Sequence, residues 1–195
     1  MRFPGATHLI LGFQYKHEAL RFLKELKSRF KKFNLEMNAQ KTALIEFGRF
    51  AAKDRKERGK GKPETFDFLG FTHICSRSRK GKFTVLRKTS GKKMRNKLAE
   101  LKKTMRERMH WPIPEVGKWL KTVLVGHYRY FGVPWNGKSL ALVRSAITRV
   151  WFRALRRRSQ RHRLTWQRMS RLAKTWLPYP FICHPYPLQR MRVNT

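Results

Sequence analysis

A chain of 195 residues with 47 lysines and arginines against 11 acids carries a formal charge of +36, a surface that repels itself unless a dense polyanion lies beside it. Its 41% hydrophobic and 13% aromatic content, with 6 Trp and 14 Phe, excludes a disordered basic tail and suffices for one or two small cores. Two cysteines, Cys75 and Cys183, exclude a disulfide scaffold and point to a reducing compartment.

In chain order, the apolar run Leu9-Ile10-Leu11 is too short to span a membrane and lacks an export-type cleavage site; residues 9–13 are expected as a strand fragment. Ala19, Leu20, Phe22, Leu23, Leu26, Phe30 and Phe33 recur at helical spacing, and Asn34 ends that helix. Ala43 to Phe47 is strand-like, and the basic, Gly-containing stretch Arg49 to Pro63 is a loop or a frayed helix. Phe66 to Cys75 is one strand, Ser76 to Lys82 a turn and Phe83 to Leu86 the returning strand of a hairpin.

The pattern changes at Thr89. Met94, Leu98, Leu101, Met105 and Met109 mark a helix capped by Thr89 or Ser90, and Trp111-Pro112-Ile113-Pro114 breaks it. Further helices follow from about Glu115 to Phe131, from about Ser139 to Ser159, and from Thr165, its cap, to Trp176. The fold class is α+β: an α+β piece over 1–88, a helical bundle over 89–176, and a Pro-rich, extended tail over 177–195.

After Glu115 the chain holds no Asp or Glu. At 100° per residue, Arg149, Arg153, Arg156 and Arg157 lie opposite the stripe of Leu140, Val143, Ile147, Val150, Trp151 and Ala154. A solvated helix face normally mixes signs; this one does not, and arginine suits phosphate forks and base stacking, so it is a candidate RNA face. Lys118, Lys121 and Arg129 sit likewise opposite the core of the preceding helix, and Arg77, Arg79, Lys80 and Lys82 crowd the hairpin tip. On a continuous strand, Phe66 and Phe68 face one side and Leu69 and Phe71 the other, and Gly70 admits a close backbone. Trp119, Trp151 and Trp176 belong to the core, while Tyr128, Tyr130 and Trp135 either stack on bases or pack. His73 with Cys75, and Cys183 with His184, match no paired zinc-ligand spacing, and no nucleophile triad or His-Asn-His arrangement is present.

The order Leu11-Gly12-Phe13-Gln14, amphipathic helix, Lys41-Thr42, Phe68-Leu69-Gly70-Phe71, basic hairpin and aromatic helical bundle resembles the C-terminal half of group II intron reverse transcriptase/maturases. Gly48-Arg49-Phe50-Ala51, Gly126-His127-Tyr128-Arg129-Tyr130-Phe131, and Arg156 to Arg161 with Leu164-Thr165-Trp166 are also similar to this family. The resemblance implies a partial palm followed by a thumb or maturase-specific domain. It also implies a primer-grip role for Phe68, Leu69, Gly70 and Phe71, and backbone contacts from Lys41 and Arg161. Where the family carries Tyr-Ala-Asp-Asp, this chain reads Gly5-Ala6-Thr7-His8. The two Mg²⁺ of the full-length family enzyme need carboxylates, so no catalytic residue, no metal and no cofactor is expected, and the isolated chain is expected not to polymerise DNA. The implied partners are intron RNA or an RNA/DNA duplex, with a separate fingers/palm chain as an alternative complement and no membrane. The implied function is assistance to intron folding and splicing in a bacterial-type cytoplasmic nucleoprotein. Two alternatives stand beside it: the non-catalytic part of a split RNA-directed DNA polymerase, and a remnant that binds nucleic acid nonspecifically.

Overall fold

The computed structural model describes residues 9–158 and 164–186, with the Lys41 side chain excepted. The Gly5-to-His8 turn, Arg161 and the tail from 187 onward lie outside the described residues. Six α-helices and a three-stranded antiparallel sheet make up the described part, a mixed helix-and-sheet architecture. Two compact units divide it, Met1–Glu64 and Thr65–Thr195. The change of composition at Thr89 is therefore not where the units part. The hairpin belongs with the helices because Phe71 is buried against the Phe131 ring, 5.1 Å between centroids.

In the first unit, α1 (Lys16–Lys32) follows its apolar spacing and ends at Phe33, with Asn34 at φ 53. Ala19 is its one buried residue, while Leu20, Phe22 and Phe33 remain exposed. Residues 9–13 and 43–47 are not strands: a β-strand needs a ladder partner, and neither segment has one among the described residues. The stretch expected as loop or frayed helix is ordered by acids. α2 (Ala51–Glu57) sends Arg55 to Glu46 and Glu64, and Arg58 forks onto both Glu46 oxygens at 2.9 and 3.0 Å. That fork holds the Glu46 carboxyl below its usual range.

The second unit opens with a departure from the expected single strand. β1 (Phe66–Phe68) and β2 (Phe71–Arg77) are antiparallel neighbours, with Phe68 opposite Phe71. Leu69 and Gly70 are the two-residue turn between them, at φ 47 and 80. Two positive φ values define a hairpin turn whose twist matches its strands, and a leucine there is strained. Three interactions hold it: Tyr130 Oη donates to the Leu69 carbonyl at 2.8 Å, the Ser90 amide donates to the Gly70 carbonyl at 2.8 Å, and Phe131 packs on Gly70. β3 (Phe83–Thr89) pairs with β2 along its whole length.

The helices are α3 (Gly91–Glu107), α4 (Ile113–Phe131), α5 (Gly137–Arg157) and α6 (Trp166–Trp176). Ser90 precedes α3, but its hydroxyl donates to Asp67 at 2.7 Å instead of capping the helix. The Thr165 hydroxyl caps α6 by accepting from the Arg168 amide. Leu120, Leu124, Tyr128, Leu140, Ile147, Trp151 and Met169 are fully buried and centre the core. Trp119 and Trp176 pack at its edge, and Gly117 is what lets Trp176 lie on α4: a Cβ there would stand 2.5 Å from the ring.

Asn136 joins the two halves of this unit. Fully buried in the α4–α5 turn, it accepts from the Thr89 amide at 3.0 Å and donates to the Thr89 hydroxyl and the Phe131 carbonyl at 2.8 Å each. The described part of the tail is also packed. Leu177 is buried, the Pro178 carbonyl accepts from Tyr128 Oη, and the Cys183 and His184 amides both donate to the Gly132 carbonyl.

His127 makes the core sensitive to acid. It lies against Phe131, 4.6 Å between ring centroids, beside Met94, Lys97, Leu98 and Val143, and its Nε2 is buried without a partner among the described residues. Burial first, and the Lys97 charge second, push its pKa down to about 4. The unfolded chain takes up this proton near 6.5 and the folded chain near 4, so His127's contribution is complete above that window and lost as pH falls through it. His73 is shifted in the same direction by burial. Asp67, held low by the Thr72 and Ser90 hydroxyls, loses its contribution at lower pH. Thermal unfolding followed by circular dichroism should show the midpoint falling between pH 7 and 4, and His127→Leu should flatten that slope. An unchanged slope in the variant would place the acid sensitivity elsewhere.

Candidate nucleic-acid interface

Three basic elements of the second unit carry charge on their outer sides. At the hairpin tip, the Ser78 amide donates to the Lys82 carbonyl at 2.7 Å and the Gly81 amide to the Ser78 carbonyl at 2.9 Å, with Gly81 at φ 73. This narrow turn holds Arg79 and Lys80 at its apex and Arg77 and Lys82 at its shoulders, all four exposed. On α4, Lys118, Lys121 and Arg129 are exposed while Val116, Leu120, Leu124 and Tyr128 are buried, a division that follows from the 3.6-residue repeat.

The α5 face is the most one-sided. Arg149, Arg153, Arg156 and Arg157 are exposed; Val143, Ile147, Trp151 and Leu155 are buried behind them. The ion pairs among the described residues engage Arg21, Lys53, Arg55, Arg58 and Lys97. None reaches the α5 stripe, the outer side of α4 or the hairpin tip. Arg156 lies over the Phe152 ring at 5.6 Å, which orders the side chain and leaves its charge unneutralised.

Other arginines of the chain are structural. Arg144 donates to the Ala173 and Leu177 carbonyls at 3.2 Å, closing the C-terminal end of α6, and stacks on Tyr179 at 4.3 Å. Arg158 donates to the Trp111 carbonyl at 2.6 Å, and burial lowers its pKa. Arg108 sits over both Trp111 and Trp119, at 4.6 and 4.7 Å. Composition counts these cations with the others; only their partners separate them.

The grip-like residues do not form the open platform a continuous strand would offer. Phe68 is half-buried, Phe71 buried, Leu69 exposed on the turn. A Cβ on Gly70 would meet the Phe131 ring at 3.3 Å, so the close approach that glycine permits is taken by this chain's own side chain. Among the aromatics left open between stacking and packing, Tyr128 is fully buried, whereas Tyr130 and Trp135 are exposed. Lys41 ends a 3-10 turn, Ala39–Lys41, and its side chain lies outside the described residues.

Sequence reasoning missed a cleft between α5 and α6. Its volume is about 290 Å³, and Arg149, Trp166, Lys174 and Tyr179 stand around it. The signal was the position of Trp166 at the start of α6, exposed where Trp119, Trp151 and Trp176 are wholly or partly buried.

Among the described residues no group of three or more His, Cys, Asp or Glu is placed to hold a metal, and no helix is long and apolar enough to cross a membrane. Comparison with protein-family models, with curated proteins and with solved structures finds no match for this chain.

Proposed function

We propose that this chain binds structured RNA as the C-terminal portion of a group II intron maturase, holding intron RNA in its spliced fold within a cytoplasmic nucleoprotein. The observation that carries this reading is the exposed arginine stripe of α5, in no ion pair among the described residues and backed by a closed core. Such a face attracts phosphates without selecting sequence, and the bases are read, if at all, by groups beside it. The RNA does the transesterification; the protein shifts its population toward the competent fold by binding that fold better. The basic hairpin tip and the outer side of α4 supply further phosphate contacts.

Binding of a structured intron RNA, titrated at several salt concentrations, tests this. If about six phosphates are neutralised, affinity falls by roughly a thousandfold between 50 and 200 mM salt. A flat plot of log affinity against log salt sinks the proposal.

A second reading, part of a split RNA-directed DNA polymerase, draws on α1. Leu20 and Phe22 on α1 and Phe33 at its C-terminal cap are exposed although the helix is patterned to bury them, which suits a further polypeptide such as a fingers/palm chain.

A further inference from the structure

The α5–α6 cleft combines features that a phosphate-binding helix face does not need. Its volume, about 290 Å³, is at the lower end of small-ligand sites and far too small for a duplex. Small residues line it as well, Ser145, Ser170 and Ala173, which leave the space open. Two aromatic rings flank it. Trp166 is 51% exposed and fixed edge-on against Phe152, 5.0 Å between centroids at 89°. Tyr179 is 63% exposed, with one side of its ring covered by the Arg144 guanidinium. Arg144 is itself locked by the α6 carbonyls, so this wall is ordered before any ligand arrives. Arg149 and Lys174, both exposed and outside every ion pair among the described residues, stand on the two helices that form the cleft.

Aromatic faces, small hydroxyl residues and two cations within one nucleotide's reach are the chemistry that takes an unstacked base with its phosphate. A fully paired helix offers no free base face to a tryptophan; a bulged or looped-out nucleotide does. We propose that the cleft binds one extruded nucleotide of an RNA. The base stacks on Trp166, the flanking phosphate lies on Arg149 and Lys174, and the Arg144–Tyr179 pair closes the far wall. This rests on the RNA-binding reading above and adds what that reading lacks, a means of telling an RNA with an unpaired nucleotide at the right place from one without.

The test uses two RNA hairpins identical except for a single extruded nucleotide in one. The full chain is expected to prefer the bulged hairpin by on the order of tenfold, the value of one base–aromatic stack. Trp166→Ala should erase that preference while keeping affinity for the perfect hairpin, and Trp166→Phe should restore most of it. Ser145→Glu fills the cleft from the exposed side of α5 and pairs with Arg149 one turn on. It should also erase the preference, and it carries the test if the alanine variant does not fold. Equal wild-type binding of both hairpins overturns the cleft and leaves the RNA-binding reading intact. So does a wild-type preference that survives both Trp166→Ala and Ser145→Glu. Binding of neither hairpin overturns both.

Discussion

Replacing Arg149, Arg153, Arg156 and Arg157 together by glutamine is expected to remove most of the RNA affinity of this chain and to leave its helices folded. All four side chains are exposed, and glutamine is nearly as good a helix former as arginine. Of the four, only Arg156 has a ring partner among the described residues, Phe152, and an exposed cation–π contact is worth about 0.5–1 kcal/mol. Relief of self-repulsion among four neighbouring charges acts in the opposite direction. The salt plot carries the decisive number: its slope should become shallower by about one unit for each phosphate that is no longer neutralised, up to roughly four. Circular dichroism checks the fold and filter binding at several salt concentrations the slope. If the variant unfolds, or keeps its slope, the stripe is not the interface.

The opposite side of the same helix should behave in the opposite way. Trp151 is fully buried among the core side chains, and Trp151→Ala should cost about 3–5 kcal/mol through the cavity it leaves. Its indole Nε1 is buried without a partner among the described residues. Trp151→Phe removes that unpaired donor along with part of the ring, so two opposing terms meet and the cost should be clearly smaller than for alanine. Urea unfolding of the two variants measures the gap. An alanine variant within about 1 kcal/mol of the parent would show that this core is not what holds the second unit together. Neither substitution touches the basic face, so the salt slope of the folded protein should be unchanged.

The helices of the second unit were legible because periodicity and burial agree: the stripe from Leu140 through Trp151 is the buried side of α5. Strands were less legible. Leu69-Gly70 carries no Asn-Gly or Asp-Gly mark, so a hairpin turn reads as the middle of a strand, and the groups that hold it closed, Tyr130, Ser90 and Phe131, are distant in sequence. Residues 9–13 and 43–47 have the composition of strands but join no sheet ladder among the described residues. The basic candidates divided by chemistry that spacing cannot express. Arg149 and Arg144 are five residues apart in one helix; the first stands at an open cleft, while the second is spent on the α6 carbonyls. Asn136 was hidden for the same reason, since a turn asparagine next to glycine looks like loop chemistry until its partners, Thr89 and Phe131, are seen.

The placement of Leu177, Met169 and Ala173 in one core with Val116 and Leu120 sets an order on the birth of this protein. Synthesis adds roughly 5–20 residues per second, so several seconds separate the emergence of α4 from that of the segment that covers it. During that interval α4 and α5 carry an unsealed apolar stripe beside a strongly cationic one. The β hairpin can form from neighbours in sequence, but the bundle cannot close until α6 and the residues after it have been made. A ribosome that stalls between the codons for Arg157 and Leu177 would release a chain with its phosphate-seeking face complete and its hydrophobic face open.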